Sequence, residues 1–197
     1  NTTLNTTNAL ANSVVNYTGN VTDLNGLLSA NWTVNLSTGK VYANYTLSGT
    51  TAIVSNLTSL SSCQETCVLN FTIYATDIAN NVKQNSTLIV VADRTAPIVN
   101  TTFNNSNPLV SDVINYTGNV TDLGGLLSAN ITVNFSTGKV FANYTLSGTT
   151  AQVSNATSLI GCQETCVLNF TLYATDVGNN VKQNSTLLTV ADVTAPV

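Results

Sequence analysis

Twenty asparagines in this chain begin an Asn-x-Ser/Thr triplet, the acceptor signal for N-linked glycosylation. They are Asn1, Asn5, Asn16, Asn20, Asn31, Asn35, Asn44, Asn56, Asn70, Asn85, Asn100, Asn104, Asn115, Asn119, Asn130, Asn134, Asn143, Asn155, Asn169 and Asn184. The chain has 29 Asn, 33 Thr and 17 Ser in 197 residues. That composition alone would give about seven such triplets by chance. Fourteen of the twenty carry an apolar middle residue: Tyr17, Val21, Trp32, Leu36, Tyr45, Leu57, Phe71 and their counterparts later in the chain. On a β-strand, Asn and Thr at i and i+2 share one face and the middle residue takes the other. Such a triplet sends a glycan into solvent and an aromatic or aliphatic side chain into a core. Threonine is at home in strands, whereas asparagine is depleted there, so ordinary amphipathic alternation does not account for the choice. Dense N-glycosylation is the expectation, with Asn70 and Asn85 placed closest to a neighbouring strand.

Little other chemistry is available. There is no histidine, hence no conventional Ser-His-Asp or Cys-His nucleophile, and the commonest transition-metal ligand is missing. The carboxylates Asp23, Asp77, Asp93, Asp112 and Glu65, with their later counterparts, stand singly at predicted strand ends rather than paired for glycoside hydrolysis. They read as turn and capping groups, and no enzyme is expected. Asp77, Asn80 and Asp93 lie near a predicted domain junction and offer hard oxygen ligands for calcium, but the turn role is preferred and no metal or cofactor is expected. The four cysteines fall into two Cys-x3-Cys pairs. Redox catalysis usually shows Cys-x2-Cys, and one shared zinc site would need cysteines from two separate domains. Two local disulfides, Cys63–Cys67 and Cys162–Cys166, are the expectation, consistent with an oxidising compartment.

Charged residues make up 7% of the chain and the net charge is −4, against about 25% charged in an average soluble domain. Nothing draws such a chain to nucleic acid or to an anionic membrane. The longest apolar run, Leu88 to Ala92, has five residues, against about 20 for a spanning helix, so no membrane segment is expected. Disorder would suit the low charge, but 43% of residues are hydrophobic and they alternate with polar ones.

What positions the asparagines is a repeat. Residues 1–98 laid on 100–197 without a gap agree at 75 of 98 positions. A unit of about 99 residues is much longer than solenoid repeats of about 20–50 and long enough to bury its own core. All ten acceptor positions return with the same offset, even where the middle residue changes, as Trp32 against Ile131 or Leu36 against Phe135. Within each copy the hydrophobic period is two: Asn31–Ser37, Val41–Leu47 and Leu69–Ala75 each alternate apolar and polar. Turn signals separate them at Asn25-Gly26, Thr38-Gly39-Lys40, Ser48-Gly49 and Ala79-Asn80-Asn81. Some seven short strands per copy predict an all-β chain of two antiparallel sandwiches, with a small barrel as the minor alternative.

The phrases Ala75-Thr76-Asp77-Ile78-Ala79-Asn80-Asn81 and Ala92-Asp93-Arg94-Thr95-Ala96-Pro97, repeated at 174–180 and 191–196, resemble the penultimate strand and closing linker of tandem immunoglobulin-like repeats in prokaryotic surface proteins. The expected division is a leading segment 1–15, an immunoglobulin-like domain over 16–99 and a second over 100–197. The end, Thr194-Ala195-Pro196-Val197, followed by Asn1-Thr2-Thr3-Leu4-Asn5 nearly reproduces the internal junction Thr95 to Asn104, as if copies continued head to tail. Two topologies fit. Residues 1–15 form a strand of their own domain, or the leading segments complete a preceding domain, with 100–114 closing the first domain and residues 1–15 added to another subunit. Leu4, Leu10, Val14 and Val15 supply inward side chains in either case.

Taken whole, the sequon-rich, low-charge chain resembles the subunit of the glycosylated thread filaments of thermoacidophilic archaea. That resemblance implies head-to-tail polymerisation by donor-strand complementation, with residues 1–15 as donor and the second domain as acceptor. The function it implies is an extracellular fibre of identical subunits serving adhesion or biofilm formation. The alternative is a stalk or carbohydrate-binding module of a larger cell-surface adhesin. Eight of 13 aromatics occupy sequon middles, predicted inward, which leaves a carbohydrate-binding platform poorly supplied. With few carboxylates to protonate, stability is expected to depend little on pH between 6 and 3.

Overall fold

The computed structural model describes residues 1–36, 39–135 and 138–194. Ser37 at the end of one predicted strand, Thr38 in a predicted turn, Ser136 and Thr137, and the closing residues 195–197 lie outside them. The chain divides into two units, Asn1–Asp93 and Arg94–Val197. The described residues contain strands and turns only.

Unit 1 has seven strands: β1 (Thr2–Leu4), β2 (Val14–Thr22), β3 (Leu27–Leu36), β4 (Gly39–Thr46), β5 (Thr51–Ser59), β6 (Val68–Asp77) and β7 (Val82–Val90). They form two antiparallel sheets, ordered β1-β2-β5 and β4-β3-β6-β7. Unit 2 repeats the plan with β8 (Ile98–Phe103), β9 (Val113–Thr121), β10 (Leu126–Phe135), β11 (Gly138–Thr145), β12 (Thr150–Ser158), β13 (Val167–Asp176) and β14 (Val181–Thr189). Its sheets are ordered β8-β9-β12 and β11-β10-β13-β14. Each unit is an immunoglobulin-like antiparallel sandwich, as the alternation predicts.

The turns form where the sequence signals them. Asp23 Oδ1 accepts the N–H groups of Asn25 and Gly26, and Gly26 has φ 122°, a conformation that an L side chain rarely adopts. Asp77 caps the β6–β7 turn in the same manner, accepting from Asn81 N–H and from its side-chain amide. Asn80, at φ 65°, supplies the left-handed residue between them.

Facing positions of the two sheets fill each core. In unit 1, Trp32 on β3, Phe71 on β6 and Tyr17 on β2 are fully buried, with ring centroids 6.0 Å (Trp32–Phe71) and 5.4 Å (Tyr17–Phe71) apart. In unit 2, Ile131 stands where unit 1 has Trp32, and Phe103 stands where it has Leu4. Phe103 packs with its ring centroid 5.0 Å from Phe170 and 5.1 Å from Tyr116, so the aromatic ring that unit 2 lacks at position 131 on β10 is present on β8.

The leading segments close their own sandwiches in this structure. Thr2–Leu4 pair with Gly19–Tyr17 of β2, and the chain then crosses to the other sheet, where Leu10 bridges Ala92 and Ala92 N–H donates to Ala9. Ala9 and Val15 are buried in the unit 1 core. In unit 2, Ile98–Phe103 pair with Thr121–Tyr116 of β9 and Ala191 N–H donates to Pro108. Residues 1–15 are thus not set apart from 16–99, and residues 100–114 belong to unit 2. The boundary falls between Asp93 and Arg94, because Val99 joins the unit 2 core. Of the expected donor residues, Leu4 packs against the unit 1 core and Val15 lies within it, Leu10 makes the bridge to Ala92, and Val14 is exposed.

Candidate glycan-acceptor surface

Strand pleating sorts the acceptor asparagines by face. Asn16 lies between buried Val15 and Tyr17, Asn31 between Ala30 and Trp32, and Asn70 between Leu69 and Phe71, so all three point outward. Asn20, Asn35 and Asn44 are also on outward faces and exposed. Their counterparts Asn115, Asn119, Asn130, Asn134, Asn143 and Asn169 occupy the same register positions in unit 2. Asn1, Asn5, Asn100 and Asn104 are exposed around the leading strands. Asn5 and Asn104 use Oδ1 to accept the backbone N–H of Asn16 and Asn115.

Two positions per copy break the pattern. Asn56 pairs across the sheet with buried Tyr17, and Asn155 pairs with buried Tyr116; both asparagines therefore face inward. In these triplets the outer residue Thr58 or Thr157 is buried while the middle residue Leu57 is exposed, the reverse of the expected phase. The cause is register: β5 places Val54, Asn56 and Thr58 on one face, and Val54 is a core residue. Asn85 likewise pairs with buried Ile73 and donates to Thr2 Oγ1 at 3.0 Å. Asn184 pairs with Leu172 and donates to Thr101 Oγ1 at 3.1 Å. Tyr17, Trp32, Phe71, Tyr116, Val120, Ile131 and Phe170 are buried, as the inward phase requires. Val21, Leu36, Tyr45, Phe135 and Tyr144 pack against the cores from partly exposed positions.

Two outward asparagines also meet each other. Asn31 and Asn44 are opposite on β3 and β4, and the Asn31 side-chain amide donates to Asn44 Oδ1. Asn130 and Asn143 repeat this contact.

The cysteine pairs differ between copies. Cys63 and Cys67 form a disulfide across the turn before β6. The expected Cys162–Cys166 bond is not made, and both side chains are thiols. Burial, then the hydrogen bond with Cys166, pushes the Cys162 thiol up to about 11. A thiol protonated at neutral pH is a poor nucleophile for oxidation or exchange. The turn leading to Cys162 also runs through Gly161 at φ 99°, where unit 1 has Ser62.

Of the acidic residues considered for calcium, Asp77 has both carboxylate oxygens engaged by Asn81. Those hydrogen bonds, the side-chain amide first, hold its carboxyl below the usual range. Glu164 is held low by the Thr194 hydroxyl and then the Val193 N–H. In unit 2, the carboxylates of Asp122 and Asp176 approach within 4.8 Å of one another and are buried. They are the residues of this unit that could hold a cation, but each already caps a turn, Asp122 through Gly124 and Gly125 and Asp176 through Asn180. Among the described residues no helix is long and apolar enough to cross a membrane.

No protein-family model matches the chain, and a search of curated proteins gives no match. Among solved structures, the chain is similar to a tetra-tandem repeat from the extending region of a large adhesion protein, with 20% identity and a TM-score of 0.54. That likeness covers 96% of this chain and 48% of the other, so the chain spans about half its length. Looser matches are a red sea bream transglutaminase (9% identity, TM-score 0.39, covering 98% of this chain and 31% of that one) and a bacterial ice-binding adhesin (13% identity, TM-score 0.38, covering 91% and 58%). The first likeness supports the tandem sandwich fold, and the other two carry no argument.

Proposed function

We propose that the chain is a non-catalytic structural element of a cell surface: a stalk of tandem immunoglobulin-like domains whose outward sheet faces bear N-linked glycans. The observation that carries this reading is the recurrence of the outward acceptors Asn16, Asn20, Asn31, Asn35, Asn44 and Asn70 at matching positions in both domains, with buried Tyr17, Trp32 and Phe71 among their middle residues. Fold likeness to a repeat from the extending region of an adhesion protein supports the stalk role. The test is made on protein from its native cells, by peptide mass spectrometry and immunogold labelling. Glycan mass on the outward asparagines and label outside the cell support the proposal. Unmodified asparagines or cytosolic label overturn it.

A second reading, a head-to-tail filament, needs a free sheet edge, and β1 and β5 are the outer strands of their sheet in domain 1. A strand from another copy adds to such an edge by main-chain hydrogen bonds. Electron microscopy and solution mass of the purified chain distinguish the cases: fibres favour the filament, and a monomer at every concentration favours the stalk.

A further inference from the structure

The most exposed aliphatic side chains within the strands are Ile53 (75%), Leu57 (66%), Leu88 (67%) and Leu187 (67%). All four stand directly opposite an acceptor asparagine. Leu57 pairs with Asn16 and Ile53 with Asn20; Leu88 pairs with Asn70 and Leu187 with Asn169. Cross-strand partners project to the same face with Cβ atoms about 4.5–5.5 Å apart. Each aliphatic therefore lies where the first sugar of an N-linked glycan would rest.

We propose that these side chains are docking platforms for the first sugar, whose CH-bearing ring face covers them. The proposal rests on the glycosylation reading and adds a physical role for the glycan. Ile53, Leu57, Leu88 and Leu187 lie on β5, β7 and β14, which are outermost in their sheets. Bare aliphatics on edge strands invite pairing with other chains, and exposed apolar area that is covered contributes to stability. One chain holds its own comparison. The domain 2 counterparts of Ile53 and Leu57 are Gln152 and Ala156, facing Asn119 and Asn115, and Gln152 donates to Asn119 Oδ1 at 2.9 Å. At those two positions no aliphatic platform exists.

The test uses the full chain secreted from a glycosylating host and trimmed to one N-acetylhexosamine per site, with occupancy read by peptide mass. Trp32 is the single tryptophan and is buried in domain 1, so its fluorescence reports that domain's unfolding. Relative to the Asn16→Gln/Asn20→Gln chain made in the same host, the sugar-bearing chain is expected to unfold about 4 °C higher or more. Ile53→Ser/Leu57→Ser, at exposed positions, should abolish that gain, and Ala156→Leu should create one from Asn115 in domain 2, read as that domain's transition by calorimetry. An undiminished gain in Ile53→Ser/Leu57→Ser, with the sites occupied, overturns the docking proposal and leaves glycosylation standing. Absence of sugar from Asn16 and Asn20 in both the host-made chain and the native protein overturns both.

Discussion

Asn31 and Asn44 face each other across β3 and β4, and the amide of one donates to the carbonyl oxygen of the other. Both begin acceptor triplets, yet cross-strand Cβ atoms about 5 Å apart leave no room for two sugars side by side. Each molecule should carry one glycan at this pair, and likewise at Asn130 and Asn143. Intact peptide mass should show a single glycan shared between Asn31 and Asn44, and Asn44→Gln should raise the occupancy of Asn31. Frequent double occupancy would show that the strands separate there before modification.

The two cysteine pairs should respond differently to reductant. A Cys63–Cys67 loop of five residues removes unfolded-state entropy worth about 2 kcal/mol. Reduction, or Cys63→Ser/Cys67→Ser, should lower the Trp32-reported midpoint by on the order of 10 °C, leaving domain 2 unchanged. Thiol titration of the native chain should count two free thiols.

Gly19 and Gly118 lie under side-chain tips of the opposite sheet rather than in a glycine-only backbone conformation. A Cβ at Gly19 would collide with Ile73 Cδ1, and one at Gly118 with Leu172 Cδ2. Measured by denaturant unfolding, Gly19→Ala should destabilise domain 1 by about 1 kcal/mol, the low end of overpacking, because only the Ile73 Cδ1 methyl must turn aside. Gly19→Ala/Ile73→Val should recover part of the loss, because the colliding methyl is gone.

The buried Thr58 and Thr157 hydroxyls lack hydrogen-bond partners, which costs about 1–3 kcal/mol in an apolar setting. Thr58→Val should therefore stabilise domain 1, by about 1 kcal/mol, while deleting the acceptor triplet at Asn56. A loss of stability would mean that the hydroxyl is satisfied.

Acid stability follows from the sign of the carboxylate shifts. Asp77 and Glu164 are held below their ordinary values, so the stability they add is fully present above the unfolded pKa, near about 4. It is lost only as pH falls through the lower folded values. The thermal midpoint should stay flat from pH 6 to about 4 and fall only slightly toward pH 3, and Asp77→Asn should flatten domain 1's acid limb. A steep fall already between pH 6 and 5 would point to another titrating group.

Period-two alternation made the strands legible, because each copy buries one face of every strand. Trp32, Phe71 and Tyr17 could be placed in the core from their triplets alone. Asn56-Leu57-Thr58 could not, since the same alternating pattern fits either phase and only the Val54 contact decides it. The cis closure by Leu4 and Val15 was one of two readings that fit equally well by residue type. Cys162 and Cys166 occupy the same Cys-Gln-Glu-Thr-Cys spelling as the bonded pair, and only the turn preceding them differs. The pairing of Leu57 with Asn16 and of Leu88 with Asn70 depends on register, which spacing along one strand does not encode.

The Leu4–Trp32 and Phe103–Ile131 combinations bear on misassembly. Neighbouring domains of near-identical sequence are prone to exchange strands while folding, and here the leading strands are not interchangeable. Phe103 carried into domain 1 would add a ring to a core that already holds Trp32, and Leu4 carried into domain 2 would remove the ring that packs on Tyr116 and Phe170. Exchange would therefore mismatch side-chain volume at the first strand, which should disfavour residues 1–15 in domain 2 of another subunit and reduce tangling of the near-copies.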